Sequence, residues 1–187
     1  MSFKVKEGDV IFCSSKLTCK SAILFPARFL IQATTLSQYE HAAQFINGKI
    51  AEANAKKGTI LTPLQNWVNS KYDFVTIDVL RPQKITKKQL EAMLSHWILT
   101  KGAKYPFSKA LYSNLDCLIP SSLKEPSLRK EQFCSEGVLR ALKKAVLLPE
   151  NLLARYYTPQ ELFELLVEVG FKHFDNINPK FIVKYEN

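Results

Sequence analysis

The sequence is short of the residues that build metal sites. It has three histidines and four cysteines, and Cys13, Cys19, Cys117 and Cys134 include no C-x-x-C pair. This argues against a structural zinc site, and neither a metal nor a cofactor is expected. The polar and charged stretch Met1–Asp9 is not followed by an apolar core, so no signal peptide is read. With no disulfide framework in view, a cytoplasmic setting with free thiols is the expectation. Long apolar runs are also missing. The longest, Ala22 to Ala33, carries Arg28 and Gln32 and is too short to span a bilayer. It reads as part of a core helix over Ser21–Thr34, with peripheral membrane contact through an interfacial helix as the alternative. No repeat, low-complexity segment, arginine-rich helix or zinc-finger spacing is present. The net charge of +9 comes from scattered lysines. Nucleic acid is therefore not an expected partner, whereas an acidic substrate or an anionic surface stays open. Nothing in the sequence sets the oligomeric state.

What is present fits one α+β domain over residues 1–187, long enough for a sizeable core. Val10-Ile11-Phe12, His41–Ile46, Lys49–Ala53, Gly58–Leu64 and Tyr72–Leu80 read as strands. A final strand or tail follows from Phe171 to Tyr185. Leu64–Val68 begins a short helix. Thr86, with Gln89 three residues on, starts a helix to about Lys101. Thr158-Pro159 with Glu161 starts another, which Gly170 ends. Leu118–Lys130, broken by Pro120 and Pro126, reads as a loop. His96 and His173 receive no chemical role, and Cys13, Cys19 and Cys117 are read as packing residues.

Two local patterns carry chemistry. Phe133-Cys134-Ser135-Glu136 opens a helix to about Leu147, with Val138, Leu139, Leu142, Ala145 and Val146 along one face. Cys134 thus lies in the first turn, where free N–H groups and the helix dipole favour thiolate. The second pattern is Asn47-Gly48 between two short apolar runs, a hairpin signal. With Ile46 opposite Lys49, Ala43 faces Glu52 and His41 faces Asn54. Glu52 then shares a face with His41 one diagonal step away, close enough to hold its imidazole. Cys134 as nucleophile, His41 as base and Glu52 as its orienting carboxylate make a coherent set.

Gly8-Asp9-Val10-Ile11-Phe12, Thr35-x-Ser37-x-Tyr39-x-His41, Glu52-Ala53 and Phe133-Cys134-Ser135-Glu136, in that order, resemble the permuted papain-like amidases of the YaeF/YiiX group. These are relatives of the NlpC-type cysteine peptidases. The likeness also takes in Gly102-x-x-Tyr105 and Tyr157-Thr158-Pro159-x-Glu161-Leu162. It implies a circularly permuted papain-like fold, a small curved antiparallel sheet packed against helices, with the cysteine helix following the sheet in sequence. It implies attack by Cys134 on an amide or ester carbonyl, with His41 and Glu52 in the roles above. The Cys134 N–H, at the helix start, is one candidate oxyanion donor. Tyr39 is the side-chain candidate, sharing the His41 face if the strand extends that far. Ser135 matches the motif as a substrate-binding or capping residue.

The leading functional expectation is a thiol amidase or peptidase acting on a peptide, a peptidoglycan fragment or an acyl amide. The alternatives are a lipid-directed acyltransferase or thioesterase of the lecithin:retinol acyltransferase-like type, and a non-catalytic binding module on the same fold.

Overall fold

The computed structural model describes residues 2–15, 38–70, 75–105, 132–149, 152 and 157–184. The expected Ser21–Thr34 helix, Cys19, Cys117, the Leu118–Lys130 loop and the first residues of the strand expected from Tyr72 lie outside them. The described strands are β1 (Phe3–Val5), β2 (Val10–Ser15), β3 (His41–Ile46), β4 (Lys49–Asn54), β5 (Gly58–Pro63), β6 (Val75–Arg81), β7 (Lys172–Ile177) and β8 (Ile182–Lys184). The α-helices are α1 (Leu64–Asn69), α2 (Lys87–Leu99), α3 (Cys134–Lys144) and α4 (Pro159–Glu168). Six strands form one sheet in the order β5-β4-β3-β2-β6-β7, antiparallel throughout. This is the α+β arrangement read from the sequence.

Both faces of the sheet are covered, which explains why β2 is apolar at four successive positions. Val10 and Phe12 join a core with Met93 and Trp97 of α2, Val138, Leu139 and Leu142 of α3, and Leu162 and Leu166 of α4. Ile11 and Cys13 point the other way, into a core with Leu64, Trp67 and Val68 of α1 and with Ile77, Val79 and Ile182. Each fully buried aliphatic or aromatic side chain of this kind stabilises the fold by about 1.5–3 kcal/mol.

The local signals place the elements. Asn47 (φ 51°) and Gly48 (φ 70°) form the two-residue turn, and Ile46 pairs with Lys49 as the pattern requires. Glu7 braces that turn by accepting from the backbone N–H groups of Asn47 at 2.5 Å and Gly48 at 2.9 Å. Thr86 and Gln89 form the reciprocal cap on α2, and Thr158 and Glu161 the cap on α4.

Three features depart from the sequence reading or go beyond it. Helix α3 stops at Lys144 rather than near Leu147. Val146 turns into the left-handed region (φ 56°), while its N–H reaches Lys143 O and that of Leu147 reaches Leu142 O. A valine there hides a helix end that glycine would have announced. The N-terminal stretch, read only as polar, contains β1, which pairs in parallel with β8. It is three residues long with a lysine at its centre, too short for an alternation to show. Asp9 is fully buried, and Arg81 grips both of its carboxylate oxygens at 2.8 Å.

Candidate active site

Cys134 is the first residue of α3 and is 3% exposed. The chain enters through an extended Phe133, whose N–H donates to the Glu136 carboxylate at 3.3 Å. Glu136 is itself paired with Arg140 at 2.6 Å. Deeper in the helix, a Cβ on Gly137 would come within 2.8 Å of the Trp97 ring, so glycine lets α3 lie close against α2. Val138 and Leu142 anchor the helix in the core. The nucleophile candidate therefore stands on a rigid element at the positive end of its dipole.

His41 begins β3, and Glu52 lies on β4 across the hairpin. With Gln44 opposite Ala51 and Phe45 opposite Ile50, the register brings the two side chains together. His41 Nε2 lies 2.7 Å from Glu52 Oε2. A carboxylate only accepts, so Nε2 carries the proton and Nδ1 is left for the thiol. The Trp67 indole of α1 donates to the same Oε2 at 3.1 Å. Sequence reasoning missed Trp67. Two sequential hairpin strands can be registered by counting, but contact with a helix beyond them cannot.

His41 and Cys134 hydrogen-bond to each other, and each shifts the other. Burial acts to lower the His41 pKa, but the hydrogen bonds and negative charge of Cys134 and Glu52 outweigh it and hold His41 at about 9. Burial likewise acts to raise the Cys134 pKa. His41, followed by the Ala42 and Ser135 backbone N–H groups, overcomes it and brings the thiol below its ordinary value. Both shifts run toward a thiolate beside an imidazolium.

Tyr105, which the likeness takes in with Gly102 but to which the sequence assigns no role, lies at the site. Its hydroxyl hydrogen-bonds to Cys134, and burial first, then the Cys134 charge, keeps it protonated. Its ring meets Phe133 edge-on at 5.8 Å. Tyr39, by contrast, is turned elsewhere. Its hydroxyl donates to Asp78 at 2.5 Å, and its ring packs on Phe12 and Phe163. A hydroxyl has one proton to give, so the expectation of Tyr39 as the oxyanion donor is corrected. Asp78 also accepts from the Asn176 N–H at 2.8 Å and lies 3.2 Å from His173 Nε2, which makes it a structural hub under β7. The Ser135 hydroxyl donates to the Tyr157 carbonyl, tying α3 to the residues before α4, while its N–H faces the Cys134 sulfur. His96 is buried in α2, and burial, followed by Arg140 and Lys144, lowers it to about 4.

No family model matches the chain, and no curated protein matches it by sequence. Among solved structures, the crystal structure of YiiX from Escherichia coli O157:H7, described as a metalloprotein, is similar with a TM-score of 0.53 at 21% identity. The match covers 78% of this chain and 69% of that one. At this identity the likeness carries the architecture, and the chain has a YiiX-like α+β fold.

Proposed function

We propose that the chain is a cysteine hydrolase, an amidase or peptidase of circularly permuted papain-like type, working as a single domain. The observation that carries this reading is the hydrogen-bonded line from Cys134 through His41 to Glu52, with both charge shifts running toward the ion pair. The order of the three along the chain, with the sheet residues before the cysteine helix, supports the permuted assignment.

In this reading the Cys134 thiolate attacks the carbonyl carbon of an amide. A C–S bond forms, and the carbonyl π pair moves to oxygen. The oxyanion meets the Cys134 N–H at the helix start and the Tyr105 hydroxyl. As the C–N bond breaks, His41 gives its Nδ1 proton to the leaving nitrogen and a thioacyl-enzyme remains. Water then attacks, its proton passes to His41, the C–S bond breaks and the thiolate is restored. Glu52 keeps the Nε2 proton in place throughout. YiiX is described as a metalloprotein. Among the described residues of this chain, no three His, Cys, Asp or Glu side chains group as a metal site, so no step is drawn through a metal. No helix among the described residues is long and apolar enough to cross a membrane.

The test is covalent trapping. The protein is mixed with a panel of acyl amides and activated esters, and its mass is read before turnover completes. An acyl adduct on Cys134, absent in Cys134→Ser and slow to form in His41→Ala, is the expected result. Acylation of Cys13 instead, or no adduct and no hydrolysis with any substrate, contradicts the proposal.

A further inference from the structure

The Tyr105 hydroxyl reaches Cys134 from a turn that belongs to neither β3 nor α3, so something must hold that turn. Three elements do. From β5, Thr59 N–H donates to Ala103 O and Thr59 O accepts from Gly102 N–H, both at 2.9 Å. Gly58 permits this approach, since a Cβ there would sit 2.4 Å from Ala103 O. From the end of α2, Thr100 O accepts from Ala103 N–H at 2.9 Å. From the residue two before Cys134, Gln132 N–H donates to Lys104 O at 3.2 Å.

Gln132 joins all three. Its side-chain amide donates to Thr59 Oγ1 at 2.7 Å and to Thr100 Oγ1 at 3.1 Å. The direction is fixed, because the Thr100 hydroxyl spends its proton on His96 O at 2.9 Å and offers Gln132 only lone pairs. Gln132 is 1% exposed, and its side chain is also a hydrogen-bond partner of buried His96, whose Nε2, like the Gln132 Oε1, reaches no partner at full hydrogen-bond geometry among the described residues. An apolar side chain would fill this space but leave buried His96 without that partner. What the glutamine also adds is the pair of donors aimed at the two threonines. Trp97 also packs here, against Gly137, so the clamp is continuous with the α2–α3 contact.

We propose that Gln132 is a positioning residue that holds the Tyr105 hydroxyl at Cys134 by locking the Gly102–Tyr105 turn to β5, to the end of α2 and to the start of α3 at once. This rests on the cysteine hydrolase reading and adds a residue that acts through Tyr105 without touching the reacting atoms. A donor held at the thiolate lowers the thiol pKa, and a donor allowed to drift does so less.

The experiment is the pH profile of iodoacetamide labelling at Cys134 in wild type, Gln132→Leu, Tyr105→Phe and the double variant, with His41→Ala alongside. Each single variant is expected to raise the Cys134 pKa by about one unit and so slow labelling on the acid limb about tenfold. The double variant should be no slower than the slower single, within about twofold, because both act through one hydroxyl. An unchanged profile in Gln132→Leu overturns the proposal. So does a double loss equal to the product of the two single losses. Should Gln132→Leu fail to fold by circular dichroism, Thr100→Val removes one of the two acceptors of the amide. It should shift the profile in the same direction, and no shift overturns the proposal. If wild type and His41→Ala label alike, with an ordinary thiol pKa, the hydrolase reading falls and this inference falls with it. A depressed pKa that depends on His41 but not on Gln132 overturns the clamp alone.

Discussion

Glu52 Oε2 takes two donors, His41 Nε2 at 2.7 Å and the Trp67 indole at 3.1 Å. The indole holds the carboxylate still, and the carboxylate holds the imidazole. Glu52→Gln keeps the shape but removes the charge that helps to raise the His41 pKa. The imidazolium then supports the Cys134 thiolate less well. Labelling of Cys134 on the acid limb of its pH profile should fall by about tenfold, the equivalent of one pKa unit. Trp67→Phe should move the rate the same way by a smaller factor.

Two pH profiles should differ in shape. Alkylation needs only the thiolate. It should rise through a Cys134 pKa below the ordinary thiol value and stay high. Turnover of an amide also needs a proton on His41 for the leaving nitrogen. It should rise on the same acid limb and fall again as His41 deprotonates near 9. Parallel profiles across the alkaline range would mean that His41 does not act as the acid.

Tyr39 and Tyr105 separate stability from chemistry. Tyr39→Phe takes one donor from buried Asp78 and should cost about 1.5–3 kcal/mol in denaturant unfolding, as for a hydrogen bond to a charged group. The Asn176 N–H remains on Asp78, and the Cys134 labelling profile should stay within about twofold of wild type. A shifted profile would return Tyr39 to the site.

Val146 sits in left-handed backbone with its side chain 74% exposed, so it gives little packing in return for its strain. Val146→Gly should raise the unfolding free energy by about 1 kcal/mol, the cost of that conformation for a β-branched residue less the added chain entropy of glycine. A destabilised variant would show that the valine side chain makes contacts that outweigh the strain.

The pair Arg81–Asp9 makes the opposite case. Asp9 is fully buried, and burial raises its pKa even against the nearby guanidinium. Arg81→Met should cost about 3–5 kcal/mol by leaving that carboxylate without its partner. Unfolding at pH 7 measures it.

What could be read in the sequence was what depends on neighbours along the chain. The hairpin is set by Asn47-Gly48, and its counted register puts Glu52 within reach of His41. The caps at Thr86 and Thr158 mark helix starts, and Cys134 shows its first-turn position through the apolar face that follows. What escaped depends on segments far apart in sequence. Tyr105 reaches Cys134 only because Thr59, Thr100 and Gln132 close on its turn, and no spacing announces that. Trp67 reads as an apolar residue of a short helix, yet its one polar atom finds Glu52. Tyr39 was misplaced because alternation was carried back beyond the strand. The chain is no longer in β3 at that point, and the ring turns to Phe12 and Phe163.

The central claim is that His41 holds Cys134 as a thiolate. The direct measurement is the rate of iodoacetamide labelling against pH, with the labelled cysteine identified by mass spectrometry, in wild type and His41→Ala. Fast labelling at Cys134 is expected, with an apparent pKa well below the free-thiol value of about 8.5. In His41→Ala burial is left with less to oppose it, and the pKa should rise past that value. Labelling at Cys134 no faster than a free thiol, and unchanged by His41→Ala, would contradict that claim.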